Sequence, residues 1–493
     1  MSIIINDDFM VYVQQKFKDE YQPESREQAI RDILAYTERY RGTGVKEIFY
    51  NPNAQLSYSP SEVWEYAEHR YQRTEVDGIP VNFKGNYLDV WHKLCVEYNI
   101  DLYTYFIEGT RQAGISPWLT FRFDDVHDSM TETGELRGSD YTHTARSRGI
   151  VRCRHHALCG YYDNALDYAI PEVRERFMAY VKEQLERYDV DGVELDFMRE
   201  PYAFKPGYED EGMAIIRGIC EEIRELCCEL AARRGHPVGL AVRTFRDPES
   251  DFYSGINAVG LAKAGLVDIV ITTPRWASCD SAIPIGLWRQ ILPDGVRLAY
   301  GTDILYRTSA KNANHFYTDE QLFGLANQAY TEGADSIYLF NFTYRDELDS
   351  PKAIAPLLIA GSSESLSGAH RRHTVSYQDV CAVGENRIWK PLPVELGPDQ
   401  YFTMRIPTGT PGETMFLLIG AGVEEKELEI YMNSAPVDYL GHGNVEDALW
   451  DEPVKVYRLN ALRPCHQMLE IRSAVPASLF FAELRTACPQ LRK

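Results

Sequence analysis

The chain has 493 residues, which is too long for one ordinary domain but fits a barrel of roughly 250–400 residues plus one small module. Acidic residues outnumber basic ones by 73 to 51, and the formal charge of −22 argues against nucleic acid and anionic membranes as partners. Aromatic residues make up 12% of the chain, with 32 tyrosines, a composition that suits carbohydrate binding and equally suits barrel and sandwich cores.

The cysteines and the first residues indicate the compartment. None of the ten cysteines forms a C-x₂-C framework, which favours a reducing environment over a disulfide scaffold. The segment Cys153–Cys159 holds two histidines, but its spacing matches no standard zinc site, so we expect no metal and no cofactor. Met1–Asp8 lacks the basic region of a signal peptide, and no stretch reaches the ~20 apolar residues that span a bilayer. We therefore expect a cytoplasmic protein, and leave a homo-oligomer open.

Strand-like and helix-like segments alternate eight times along the first part of the chain. The predicted strands are Ile3–Asp8, Lys46–Asn51, Pro117–Asp124, Gly192–Phe197, Val238–Phe245, Asp268–Thr273, Val296–Thr302 and Ser336–Phe342. The clearest predicted helices are Ser25–Arg41, Leu88–Tyr98, Pro171–Tyr188, Gly212–Arg234, Ile256–Ala264, Ile285–Ile291 and Asp319–Gly333. Eight such units predict a (β/α)8 TIM barrel over residues 1–361. A doubly wound open sheet is the alternative, but no Gly-rich phosphate turn follows the first strand.

The pattern changes near Gly368. Short alternating runs separated by Pro, Gly and Asn predict a small all-β domain, a sandwich, over residues 368–493. The runs are Tyr401–Ile406, Thr414–Leu418, Leu428–Met432, Val454–Leu459 and Ser478–Glu483. A linker rich in Ser and Gly, Ser362–Gly368, is predicted between the two domains.

Two carboxylates on the fourth predicted strand form the strongest chemical signal. In a barrel, catalytic groups lie at the carboxyl ends of the strands. Side chains alternate along a strand, so Glu194 and Asp196 share one face while Val193, Leu195 and Phe197 point toward the helices. Inward carboxylates are costly unless they are paired or functional.

The segment Asp191–Pro201, DGVELDFMREP, resembles the strand-four motif of several glycoside hydrolase barrels. It is most similar to that of the bacterial proteins called glycosyl-hydrolase-like family ten, and Leu166–Arg174 (LDYAIPEVR) also resembles a stretch of such barrels. The likeness covers roughly residues 1–350. It implies a glycoside hydrolase in which Asp196 occupies the place of the nucleophile of α-amylase-like barrels. The likeness to family eighteen chitinases is partial, because their acid-providing Glu falls on Met198 here.

Glycoside cleavage needs a second carboxyl group, ~5–5.5 Å from the first in retaining enzymes and ~6.5–9.5 Å in inverting ones. The candidates are, in order, Asp303 at the end of strand seven, Asp125 after strand three, and Glu200. A helix N-cap is the alternative role for Asp303. Glu194 lies one layer deeper than Asp196, and we expect an arginine, Arg122 or Arg243, to hold it in an ion pair. The predicted catalytic set is Asp196, Asp303 and Glu194.

The predicted substrate-binding residues come from five strand ends. Residues 122–128, which include Asp124, suit a clamp for sugar hydroxyls, with a metal site as the alternative. Arg199 and Arg243 suit an anionic group such as a uronate or sulfate, and Trp276 suits stacking on a sugar face. The set is Arg122, Asp125, His127, Arg199, Arg243, Trp276 and Asn341.

These residues lead us to expect a glycoside hydrolase that cleaves a small glycoside or oligosaccharide. A non-catalytic carbohydrate-binding barrel is the first alternative. A metal-dependent hydrolase or lyase centred on Asp124, Asp125 and His127 is the second.

Overall fold

The computed structural model describes residues 2–8, 10–54, 56–72, 74–76, 79–80, 84–85, 87–123, 125, 166–275, 282–303, 305–306, 315–342, 351–375, 392–445, 450 and 452–492. Two predicted binding residues, His127 and Trp276, and also Asp124 and Cys153–Cys159, lie outside these ranges. Within them, no helix is both long and apolar enough to cross a membrane.

Eight parallel strands close into a barrel, as predicted. They are β1 (Ser2–Asp8), β2 (Val45–Asn51), β3 (Ser116–Arg122), β4 (Gly192–Asp196), β5 (Gly239–Thr244), β6 (Ile269–Thr272), β7 (Arg297–Thr302) and β8 (Ser336–Phe340). Each strand pairs with its neighbours in sequence, and β1 pairs with β8 to close the ring. The open-sheet alternative is thereby excluded.

The helices lie between and after these strands. They are α1 (Met10–Lys18), α2 (Arg26–Leu34), α3 (Ala67–Tyr71), α4 (Tyr87–His92), α5 (Leu102–Gln112), α6 (Pro171–Arg187), α7 (Glu209–Arg234), α8 (Pro248–Tyr253), α9 (Ala258–Lys263), α10 (Ile285–Ile291), α11 (Asp319–Glu332), α12 (Pro351–Ala360) and α13 (Ser363–Gly368). Their ends follow local chemistry: Thr318 forms a capping box with Gln321 at the start of α11, and Gly333 ends it in the left-handed conformation. The predicted linker is largely helical, as α13, and the sequence analysis did not predict α1, α3, α8 and α12.

Large and small side chains alternate inside the barrel. Trp118 stacks on Phe49 with ring centroids 4.9 Å apart, and both belong to an apolar cluster inside the barrel. Glycines on the next two strands leave room for the indole, because a methyl group added at Gly192 or Gly239 would lie 2.3 or 2.6 Å from it. Below this layer, Arg297 pairs with Glu47 at 2.7 Å and also binds the hydroxyl of Ser336. This part of the interior is therefore filled by side chains, as in other TIM barrels, whose active sites lie at the carboxyl ends of the strands.

Two antiparallel sheets follow the barrel. The strands are β9 (Arg372–Thr374), β10 (Val394–Leu396), β11 (Tyr401–Gly409), β12 (Phe416–Ala421), β13 (Leu428–Met432), β14 (Ala435–Pro436), β15 (Asp438–Val445), β16 (Val454–Arg458), β17 (Cys465–Ser473), β18 (Ala477–Arg485) and β19 (Leu491–Arg492). One sheet has the order β9-β18-β12-β16-β15-β19 with β10 on β18, and the other β11-β17-β13-β14. This is the all-β fold expected after the barrel.

The barrel contacts the sheets mainly through α11. The side chain of Asn327 donates to the carbonyls of Thr408 and Thr410, at 2.7 and 3.0 Å. Gly324 lies against Arg372, so closely that an added methyl group would be 2.2 Å from its carbonyl oxygen. The helix between the last two barrel strands thus also supports the first strand after the barrel.

Candidate functional site

The inward side chains change from apolar to charged at the carboxyl ends of the barrel strands. Strand register places Thr120, Glu194 and Ala241 side by side, with Arg122, Asp196 and Arg243 as the next inward residues above them. All three of these charged side chains are at most 4% exposed. The strands thus bring together a buried group of charges of both signs.

Asp196 accepts hydrogen bonds on both carboxylate oxygens. Oδ1 accepts from the backbone N–H groups of Met198 and Arg199, at 2.8 and 2.9 Å, because the chain turns sharply after β4. The Nη1 of Arg243 donates to both Oδ1 and Oδ2, at 3.0 Å each. Among the described residues, Oδ2 accepts from Arg243 alone. From its position at the end of β4 we predict that Asp196 points into the cleft at the barrel mouth, but the side chain is 1% exposed and does not face an open cleft.

Glu194 lies one layer deeper and is bound by hydroxyl groups. Its Oε1 accepts from Thr120 at 2.5 Å and from the phenol of Tyr338 at 3.0 Å. Burial, and next the negative charge of Asp196, raise the pKa of Glu194 to about 8. Its Oε2 is buried and has no partner among the described residues. Glu194 is therefore a neutral carboxylic acid near pH 7.

The predicted ion pair between Glu194 and an arginine is absent from the described residues. We predicted that Arg122 or Arg243 would hold Glu194. Instead, Arg243 binds Asp196, and Arg122 binds Asp8 at 2.6 Å and Asp125 at 2.9 Å. The strand register explains the difference, because Arg122 and Arg243 both lie level with Asp196, one layer above Glu194.

Arg243 is the centre of the charged group. Its guanidinium lies 4.0 Å from the ring centroid of Phe340 and 5.8 Å from that of Tyr338, so aromatic rings support it from β8. It interacts electrostatically with Asp196, Glu194 and Asp303, the three carboxyl groups predicted as catalytic. Asp303, at the end of β7, thus lies within electrostatic range of the cation that binds Asp196.

Asp303 follows β7 and is 4% exposed. Its Oδ1 accepts a long hydrogen bond of 3.4 Å from the backbone N–H of Leu305. The next described element is the short strand Leu305–Tyr306, which pairs with His315–Phe316, so Asp303 does not cap a helix there. The N-cap alternative is therefore wrong, and a role for Asp303 at the barrel mouth stays a prediction.

A second arginine–carboxylate group follows β4. Glu200 is bound by Arg275 at 3.0 Å and by Arg199 at 3.4 Å, and its side chain is fully buried.

Asn341, just after β8, has a left-handed backbone with φ of 51°, and its Oδ1 is buried without a partner among the described residues. Strain of this kind often accumulates at functional sites.

Sequence reasoning missed four members of the site. Asp8 was noted only as a strand end, and Thr120, Tyr338 and Phe340 were not singled out at all. Period-two alternation would have placed each of them on the inner face of its strand, as in the case of Glu194. What the pattern lacked was the partner, because Tyr338 lies 144 positions from Glu194.

No family model and no curated protein matches the chain. Among solved structures, it is similar to a bacterial fucosidase, with 11% identity, a TM-score of 0.38 and coverage of 96% of this chain and 94% of that one. It is also similar to a chitinase from Bacillus thuringiensis, with 10% identity, a TM-score of 0.40 and coverage of 98% and 99%. For a multi-modular cell-surface chitinase from Paenibacillus the identity is 10% and the TM-score 0.43, and the chain spans only 56% of that protein. The activity of this chain must be argued from its own residues.

Proposed function

We propose that the protein is a glycoside hydrolase whose site lies at the carboxyl ends of the barrel strands, with Asp196 and Asp303 as its two working carboxylates. The observation that carries this proposal is the contact of Arg243 with Asp196, together with the electrostatic interaction of the same guanidinium with Glu194 and Asp303. Glycoside cleavage uses two carboxyl groups on opposite sides of the bond, and here they come from β4 and from the end of β7.

The two oxygens of Asp196 have different surroundings, which supports a role as nucleophile or base. Oδ1 is fixed by two backbone N–H groups and by Arg243, and it orients the carboxylate. Oδ2 accepts only from Arg243 among the described residues, so we assign the attack to this atom. The guanidinium then stabilises the charge that returns to the carboxylate when a glycosyl intermediate is hydrolysed.

Glu194 is assigned a supporting role. It is completely buried below Asp196, and this burial, together with the negative charge of Asp196, raises its pKa to about 8 and so favours the neutral acid near pH 7. A neutral group here lets Arg243 serve Asp196 without competition from a second carboxylate. The proton donor to the leaving group is then Asp303, which lies above this layer.

Unpartnered polar atoms at the mouth support a polyhydroxylated ligand. In the described part of the chain, Nε of Arg122 and Nε of Arg243 are buried donors without an acceptor, and Oδ1 of Asn51 and Oδ1 of Asn341 are buried acceptors without a donor. A sugar hydroxyl can donate and accept at once, so it suits both kinds of atom. Buried polar groups otherwise cost free energy of about 1–3 kcal/mol each.

The test combines a substrate screen with variants of Asp196. The purified protein is incubated with 4-nitrophenyl glycosides and natural oligosaccharides, and turnover is measured for Asp196→Asn and Asp303→Asn. We expect a loss of about a thousandfold or more in kcat for Asp196→Asn, with the fold intact by circular dichroism. Asp294→Asn, at an exposed carboxylate, is the matched control and keeps full activity.

A chemical rescue separates the roles of Asp196. Azide can occupy the space left in Asp196→Gly, and a glycosyl azide forms if the carboxylate is the nucleophile. Asp196→Asn with near-normal turnover on the best substrate would overturn the assignment.

A carbohydrate-binding barrel without catalysis is the second candidate, and the burial of Asp196 favours it. A carboxylate that is 1% exposed and paired with Arg243 has the surroundings of a structural ion pair. The same screen decides between the two. Saccharide binding by calorimetry without turnover of any substrate would support the binder. The third alternative, a metal site on Asp124, Asp125 and His127, depends on two residues outside the described ranges.

A further inference from the structure

Three exposed aromatic side chains lie in the segments that follow β4 and β5. Tyr208, just before α7, is 53% exposed, and Phe252 and Tyr253, at the end of α8, are 42% and 54% exposed. The rings of Phe252 and Tyr253 meet edge to face, with centroids 5.5 Å apart. We call these three side chains the aromatic rim.

The backbone segment that carries Phe252 and Tyr253 packs against the segment that follows Tyr208. Gly255 has a φ of +82°, and a methyl group added to it would lie 2.8 Å from the carbonyl oxygen of Glu209. This close approach places the segment that carries Tyr253 against the start of α7, which Tyr208 precedes. The rings therefore have fixed supports although they are exposed.

The aromatic rim is also tied to the strands that carry the proposed site. Asp251 lies on α8 directly before Phe252 and Tyr253. Its carboxylate accepts a hydrogen bond from the hydroxyl of Thr244. It also accepts from the backbone N–H of Ala258 at 2.7 Å. Thr244 directly follows Arg243 on β5, so the rim and the site share the same end of the barrel.

The chemistry of the aromatic rim selects its ligand. Carboxylates alternate with the rings along the chain: Glu209 and Asp210 follow Tyr208, and Glu249 precedes Phe252. These charges interrupt the apolar surface, so the exposed rings do not form the large contiguous apolar patch that marks many protein interfaces. A sugar ring instead places its C–H face on an aromatic ring while its hydroxyls donate to neighbouring carboxylates. The same charges repel an anionic ligand.

We propose that the aromatic rim is a remote subsite for a neutral sugar unit, so that the substrate is an oligosaccharide reaching from the barrel mouth across the β4 and β5 loops. This inference rests on the proposed function for the identity of the mouth. It adds the length and the direction of the bound chain, and it assigns Tyr208, Phe252 and Tyr253 as its binding residues.

The test measures binding separately from turnover. Cello-, chito-, malto- and laminari-oligosaccharides of two and six units are titrated calorimetrically into the full chain. We expect the best hexaose to bind more tightly than its biose, and Tyr253→Ala and Tyr208→Ala to weaken the hexaose about tenfold each while leaving the biose unchanged. Tyr253→Phe keeps the ring and the affinity. Tyr401→Ala, which removes a ring that is 69% exposed on β11, is the matched control and changes nothing.

The outcomes separate this inference from the proposed function. Equal affinity for biose and hexaose in the wild type would overturn the remote subsite even if the biose is cleaved. Self-association that Tyr253→Ala abolishes, with hexaose affinity unchanged, would assign the rim to a second copy of the chain and overturn it as well. If the wild type binds hexaoses, Tyr253→Ala weakens this binding and no hexaose is cleaved, the remote subsite is supported and the proposed hydrolase function is overturned.

Discussion

Arg243 forms its ion pair with Asp196 at 3.0 Å, and not with Glu194, which lies two residues earlier on the same face of β4. One buried cation balances one buried anion. A second ionised carboxylate in the next layer would have no cation of its own, so Glu194 keeps its proton and is bound by two hydroxyl groups. The two carboxyl groups of β4 therefore differ in charge although they share a face.

The first prediction concerns Glu194 and pH. The unfolded chain releases this proton near the ordinary pKa of 4.5, whereas the native protein keeps it up to about 8. As the pH rises through this window, the titration of Glu194 lowers the unfolding free energy of the wild type by up to about 1.4 kcal/mol per pH unit. Glu194→Gln removes the loss. Urea denaturation of both proteins at intervals across the window measures the difference between them.

A control for this pH dependence comes from the surface. Glu221→Gln alters a carboxylate that is 48% exposed, and this variant is measured over the same window as the surface control. Parallel curves for the wild type and Glu194→Gln would show that Glu194 is ionised in the native protein.

The second prediction concerns the ion pair itself. Arg243→Met leaves Asp196 as a buried charge without its cation, and we expect a loss of about 3–5 kcal/mol in unfolding free energy. Arg217→Met breaks an exposed pair with Glu221 and should cost less than about 1 kcal/mol. Adding Asp196→Leu to Arg243→Met should restore much of the loss, since the unpaired charge is gone. Equal costs for the two arginine variants would contradict a buried ion pair.

The third prediction concerns the contact between the barrel and the sheets that follow it. Gly324→Ala places a methyl group 2.2 Å from the backbone of Arg372, and that backbone cannot move without shifting β9. We expect a loss of about 1–3 kcal/mol, measured by denaturation. Gly218→Ala, on α7, meets nothing within 4 Å and should gain up to about 1 kcal/mol. A gain in both variants would mean that β9 yields easily.

The fourth prediction concerns the filled interior. Gly192→Ala places a methyl group 2.3 Å from the indole of Trp118, and we expect it to destabilise the barrel by about 1–3 kcal/mol. Trp118→Leu vacates that space, so the double variant should lose less than the sum of the two single ones. Additive losses in a double-mutant cycle would show that the two positions do not meet.

The sequence was sufficient for the barrel but not for the partners inside it. Alternation identified the inner face of β4, because it depends only on local backbone geometry. The pairing of Arg243 with Asp196, and not with Glu194, depends on the register of β5 against β4. The ring of Phe340 beside the guanidinium comes from a strand that is distant in sequence. The helices α1, α8 and α12 were also missed, and since they have nine, six and ten residues, length alone does not explain which helices the pattern revealed.

Closure of the ring by β8 has a consequence for how the protein is made. Ser2 and Ser336 share a hydrogen bond across 334 positions, and Tyr338 binds Glu194 from the same last strand. During synthesis on the ribosome, one edge of β1 stays unpaired until β8 has been synthesised. Unpaired strand edges can form hydrogen bonds with other chains and so cause aggregation. The group around Arg243 also lacks Phe340 until then. Fragments that end before Ser336 should therefore aggregate rather than retain a weakened site.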